Sequence, residues 1–159
     1  MIILFSGILI VSCEKDKDPD EKIVGTWNTS TGKFDATIDN KPLLQYFTEQ
    51  GLTATDAQSA VAFFNTAMQQ SFAGSITFKS DNTYTSNLGG QNDSGTWSLN
   101  SNRDKLTLDP ATGDAFVMNV DTLTDNELVL SWIETGKEDI NDDNVQETIN
   151  VNITMRFTK

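Results

Sequence analysis

Near its C-terminus the chain alternates without a break. Ile149, Val151, Ile153, Met155 and Phe157 are apolar, and Asn150, Asn152, Thr154, Arg156 and Thr158 between them are polar. A period of two sends the sets to opposite faces of a strand, so one face is buried and the other wet, as in antiparallel sheets. The same period runs upstream. Ile76 and Phe78 precede a turn at Ser80-Asp81-Asn82, and Tyr84, Ser86 and Leu88 follow it. Gly95, Trp97 and Leu99 come next, after the loop Gly89 to Asp93. Leu106 and Leu108, then Phe116, Met118 and Val120, then Leu128, Leu130 and Trp132 continue the series. The connections are short and rich in Asn, Asp and Gly, which predicts hairpins between sequence neighbours. Further upstream, Ile23, Gly25 and Trp27 share one face, and Phe34, Ala36 and Ile38 resume the alternation after Thr31-Gly32.

One segment breaks this period. Leu43, Leu44 and Phe47 fit a short helix that Gly51 ends. Thr53 to Asp56 offers an N-cap, and Ala57, Ala60, Val61, Phe64, Ala67, Met68 and Phe72 then recur at three- and four-residue steps. That spacing predicts an amphipathic helix of about four turns. So many strands, each with one apolar face, must close on themselves or stack. The expectation is a mainly β domain, an antiparallel up-and-down β-barrel of about eight strands. A helical insertion at about 42–72 follows the first strand region and can lie across one open end.

Composition narrows the chemistry. The 159 residues carry 11 basic and 23 acidic side chains, a formal net charge of −12. Such a surface repels phosphates, so no nucleic acid partner is expected. There is no histidine, which removes imidazole bases, Ser-His-Asp and Cys-His arrangements and the usual transition-metal sites. The single cysteine, Cys13, leaves the domain without disulfides, so an ordinary core must hold it. The acidic residues cluster in turns and in the segment Glu14 to Glu21. No carboxylate pair is set for glycoside chemistry, and the expectation is that the protein is not an enzyme.

The start of the chain, MIILFSGILIVSC, is apolar. Its length suits a signal-peptide h-region and falls short of the roughly 20 residues that span a bilayer, although no Lys or Arg precedes the run. Ile10-Val11-Ser12-Cys13 resembles a bacterial lipobox, in which the cysteine is acylated and becomes the first mature residue. The other reading is an ordinary signal peptide with an incidental cysteine. The expected organisation is therefore a signal peptide over 1–12, a lipidated N-terminus with a flexible acidic tether over 13–22, and the barrel domain over 23–159. The segment EKDKDPDE also resembles the acidic segment behind the lipidated cysteine that marks surface export in some Bacteroidota lipoproteins; a plain spacer is the alternative.

The motif Gly25-Thr26-Trp27, repeated as Gly95-Thr96-Trp97, resembles the Gly-x-Trp that opens the first strand of lipocalins and fatty-acid-binding proteins. With ITFKSDNTYTSN, SGTWSLN, KLTLD, VDTLTDNELVLSW and INVNITMRFTK, the chain from Ile23 to Lys159, excepting the helical insertion, resembles the lipocalin-like lipoproteins of Bacteroidota. That resemblance implies a calycin-type barrel, an outer membrane lipoprotein on the periplasmic face or the cell surface, and a calyx for a small hydrophobic ligand. It also implies a basic residue stacked on the first Trp, and Arg156 is the candidate, although it alternates away from the apolar face. Phe78, Tyr84, Phe116, Met118, Trp132 and Met155 are the candidate ligand-binding residues of the interior, with Phe63, Phe64 and Met68 as a plug at the mouth. The alternative is a packed barrel without a ligand, acting as a structural or interaction lipoprotein.

A second candidate site lies between the last two strands. Asp139, Asn141, Asp143 and Glu147 fall at relative positions 1, 3, 5 and 9, a spacing that can wrap oxygen ligands round Ca²⁺. Asn144 holds position 6, where a left-handed residue is needed. Position 12 is Asn150 rather than a bidentate Glu, and a solvated acidic hairpin loop is the alternative.

Overall fold

The computed structural model describes residues 19–141 and 143–159. Cys13, the expected signal peptide and the start of the tether lie outside them. The folded part begins within the segment expected as tether. Pro19–Ile23 forms a short helix, α1, with Pro19 at its first position and Asp20 and Glu21 in its first turn, where proline and negative charge are both favoured. Arg103 pairs with Asp20 at 3.1 Å and ties α1 to the turn after the fourth barrel strand.

Eight strands then close an antiparallel barrel: β1 (Gly25–Ile38), β3 (Gly74–Phe78), β4 (Thr83–Leu88), β5 (Gln91–Leu99), β6 (Lys105–Pro110), β7 (Phe116–Leu123), β8 (Glu127–Glu138) and β9 (Glu147–Thr158). Each pairs with the next in order, and β9 closes on β1 from Asn28↔Thr158 to Ile38↔Ile149. The two-residue β2 (Lys41–Pro42) is an extra strand, folded back on β1 by Asp39 and Asn40. Both turn residues have positive φ, 48° and 63°, as a two-residue hairpin requires.

β1 is one continuous strand where the sequence pattern shows two pieces. Trp27 and Phe34 both point inward although they are seven positions apart, an odd offset, so the side-chain parity must slip once. It slips at Ser30, which is skipped in the pairing between Thr29↔Phe157 and Thr31↔Arg156. A bulge inserts one residue and bends the strand. Gly25 to Asn28 pair with β3, and the pairing with β9 runs from Asn28 through the bulge to Ile38.

β1, β8 and β9 are long, at 14, 12 and 12 residues, whereas β3 has 5 and β4 has 6. The long strands rise above the short ones, and the helices cover the step. α2 (Leu43–Glu49) and α3 (Ala54–Ser71) pack there through a small second core of Ile38, Leu43 and Tyr46, joined by Val61, Phe64 and Ile149. α2 buries Leu43 and Tyr46, while Leu44 is 43 % exposed. Thr53 caps α3 by accepting from the Asp56 amide at 3.2 Å. The C-terminal turn of α3 is fastened to β1: Gln69 donates to the Gly32 carbonyl and Thr29 to the Phe72 carbonyl.

The main core fills the barrel, and Ile23, Trp27 and Leu128 within it are wholly buried. At the closed end the Trp27 indole donates to the Ile23 carbonyl at 2.6 Å, and the Trp97 indole to the Lys79 carbonyl at 3.1 Å. The cation over Trp27 is Lys159, with Nζ 4.5 Å from the ring centroid, and not Arg156. Arg156 sits on the outer face of β9 and pairs with Glu127. The register explains the exchange, because Thr158 opposite Asn28 brings the next residue beneath the start of β1. Lys159→Ala is expected to cost about 0.5–1 kcal/mol and to change the near-ultraviolet circular dichroism of the indoles. Arg156→Ala, which breaks an exposed pair, should stay within about 0.5 kcal/mol and leave that spectrum unchanged.

Candidate functional site: the barrel cavity

Among the described residues the core side chains leave a space free inside the barrel, a cavity of about 160 Å³. Its walls come from seven strands, β3 to β9, and from the end of α3. Ile76 projects from β3, Tyr84, Ser86 and Leu88 from β4, Asp93 from β5, Leu108 from β6, and Phe116 and Met118 from β7. Leu130 and Trp132 of β8, Phe157 of β9 and Phe72 just after α3 complete it. Period-two alternation puts these residues on the inner face together. The side toward α3 is aromatic. Trp132 lies edge-on between Phe72 and Phe116, at 5.5 Å from each, and Phe72 stacks on Phe34 at 5.8 Å.

Four of the six expected ligand residues, Tyr84, Phe116, Met118 and Trp132, are on this wall. Phe78 and Met155 are not. Phe78 lies at the closed end against Trp97, ring centroids 5.7 Å apart, so that end is already filled. Met155 packs its sulfur beside Gly32 of β1, and Phe78 and Met155 are each about 1 % exposed. The plug also differs from expectation: Phe64, Met68 and Phe72 pack on the barrel core, whereas Phe63 is 77 % exposed. Residues 57, 60, 61, 64 and 68 make one helical stripe, and position 63 lies roughly 100° away from position 64.

Asp93 is the residue that the sequence pattern hid. The sequence pattern groups it with the loop Gly89 to Asp93, yet β5 already begins at Gln91. Its parity with Gly95 and Trp97 is the signal that places it on the inner face, opposite Ser86. The Tyr84 hydroxyl donates to Asp93 Oδ2 at 2.5 Å. Asp93 is exposed, so the cavity meets solvent at its carboxylate. There β6 ends at Pro110 opposite Gly95, and the upper part of β5 has no strand on that side. A groove of about 420 Å³, walled by Asn92, Ser94, Ala111 and Thr112, shares Ser86 and Asp93 with the cavity.

Burial, and then the bond to Asp93 and its charge, pushes the Tyr84 hydroxyl well above its ordinary value of 10.0. Above pH 10 the unfolded chain releases this proton while the folded protein keeps it. Stability is therefore full below pH 10 and falls as pH rises beyond it. Tyr46, raised by burial and by Glu147, acts in the same direction. Denaturant midpoints between pH 8 and 11 should show this alkaline limb, and Tyr84→Phe should make it shallower.

In the loop between β8 and β9, Asn144 adopts φ 65°, the left-handed conformation that position 6 demands. The oxygens are taken up by the loop itself. Asp139 accepts from the amides of Asp143 and Asn144, Asn141 from that of Asp143, and Asp143 from that of Val145. Glu147 is turned away and buried, accepting from the Tyr46 hydroxyl at 3.3 Å and the Ile140 amide at 3.0 Å. Among the described residues no group of three or more acidic, cysteine or histidine side chains is placed to hold a metal ion.

The profile of the lipocalin-like domain matches residues 23–130, from the last residue of α1 into β8. The chain belongs to the lipocalin-like domain family. Among solved structures, it is similar to a DUF4847 family protein from Bacteroides vulgatus ATCC 8482, at 16 % identity and a TM-score of 0.38, covering 86 % of this chain and 92 % of that one. No curated protein matches the chain. Among the described residues no helix is long and apolar enough to cross a membrane.

Proposed function

We propose that this lipocalin-like domain is a non-catalytic binding module, anchored by acylation of Cys13 to the outer membrane and holding a small hydrophobic molecule in its barrel. The observation that carries the reading is the cavity of about 160 Å³, apolar on nearly every side and open to solvent at Asp93. A void of that size and lining has room for one small ring. The lipobox-like Ile10 to Cys13 and the polar segment behind it support the anchor, and the absence of histidine supports a binding role over catalysis. The anchor would hold the barrel at the periplasmic face or the cell surface.

The second reading, a packed barrel that meets a protein partner, has its own support. The void is small because Trp27, Phe78, Tyr84 and Trp97 fill most of the interior, and Phe63 and Ile133 stand 77 % and 66 % exposed. Protein purified from the membranes of its own host separates the two. The binding reading expects a small apolar compound in its solvent extract, absent from the extract of Ser86→Phe, whose ring fills the cavity. An extract free of such a compound leaves the packed barrel. Labelling with radioactive palmitate, lost in Cys13→Ala, tests the anchor.

A further inference from the structure

We propose that the cavity is selective for a compact apolar amine, with its ring against Trp132 and its ammonium on Asp93, and that it rejects the carboxylate of the same skeleton. The inference rests on the binding reading and specifies its ligand.

Size and charge carry it separately. A volume of about 160 Å³ takes one ring or a short branched chain, since voids of about 150 Å³ accept benzene. A long acyl chain does not fit. The polar side-chain atoms of the wall come from Tyr84, Ser86, Asp93 and Trp132, whose indole N–H already donates to Glu134 Oε1. The Tyr84 hydroxyl is committed as donor to Asp93 Oδ2, and it keeps its proton because burial opposes ionisation. Asp93 Oδ1 accepts no hydrogen bond among the described residues, so the carboxylate has acceptor capacity left where cavity and solvent meet.

An ammonium or other N–H head at that point would make a charge-assisted hydrogen bond while its apolar body stays within the wall. Trp132 and Phe116 on the same cavity wall offer aromatic surface, which also favours a cation. A carboxylate head would meet Asp93 at close range, and neither the cavity wall nor the groove at Asp93 contains a lysine or arginine; Lys79 lines the next groove, beyond Tyr84, together with Asp109. The net charge of −12 adds repulsion from the whole surface.

The test titrates the full-length protein at pH 7 with toluene, benzylamine and benzoate, three probes of one skeleton, following tryptophan fluorescence and the methionine methyl resonances. The expected order is benzylamine about tenfold tighter than toluene, the worth of a charge-assisted bond partly exposed to water, with benzoate not binding. Asp93→Asn should bring benzylamine to the affinity of toluene measured on the same variant. Equal binding of toluene and benzylamine by the unaltered protein overturns the amine selectivity and leaves the cavity reading standing. Tighter binding of benzoate overturns it as well. Binding of none of the three removes the cavity reading itself, together with this inference.

Discussion

Trp27→Ala is expected to destabilise the protein by about 3–5 kcal/mol, the cost of deleting a large buried aromatic and leaving its space unfilled. Trp27 is wholly buried, and three contacts converge on it. Its body closes the lower end of the main core, its indole N–H satisfies the Ile23 carbonyl, and Lys159 lies over its face. Alanine leaves a void, an orphaned carbonyl and an unseated α1 at once. A loss of this size is a large part of the stability of an ordinary domain, about 5–15 kcal/mol. Trp27→Phe keeps most of the packing and loses the hydrogen bond, so roughly 1–2 kcal/mol should go. Denaturant unfolding of the two variants measures both values. A loss below about 1 kcal/mol for alanine would mean that the indole does not close the barrel.

Gly95→Ala is the second large effect, and its cause differs from that at the other Gly-Thr-Trp. A Cβ at Gly95 would stand 2.1 Å from the Asp109 carbonyl oxygen and 2.7 Å from the Pro110 Cα. Both are backbone atoms of β6, which cannot turn aside as a flexible side chain would. The hairpin of β5 and β6 must part, at about 3 kcal/mol, the upper end for overpacked sites. At Gly25 the constraint is conformational, φ 134°, and the nearest atom to an added Cβ is the Lys159 Cε at 3.0 Å. Gly25→Ala should therefore cost about 1–3 kcal/mol through backbone strain alone. Amide exchange separates the two mechanisms, since only Gly95→Ala should loosen Trp97 and Ala111.

The strands were legible because each has one buried face. Ile149 to Phe157 displays that face as strict alternation, and the short polar turns between strands leave few topologies other than a meander. The parity slip in β1 was also present in the chain: Trp27 and Phe34 cannot share a face without one extra residue. Lys159 was illegible because its partner depends on the closing register of β9 on β1, a long-range fact. Asp93 lay hidden behind its turn-like neighbours. Phe63 was read with Phe64 because adjacent apolar residues on a helix look alike until the stripe is fixed by Ala57, Val61 and Met68. Of the two Gly-Thr-Trp copies, the tryptophans do share a role, each closing the lower end with an indole bonded to a carbonyl. The glycines do not, one serving a positive φ and the other a close strand approach.

The central claim is that the barrel holds an accessible apolar cavity, and a crystal of the protein under xenon pressure tests it most directly. Xenon enters voids lined by aliphatic and aromatic groups and reports them without any assumed ligand chemistry. The predicted result is a xenon peak between Met118, Leu130 and Trp132, absent from Ser86→Phe. An interior without xenon in the unaltered protein would contradict it and leave a barrel filled by its own side chains.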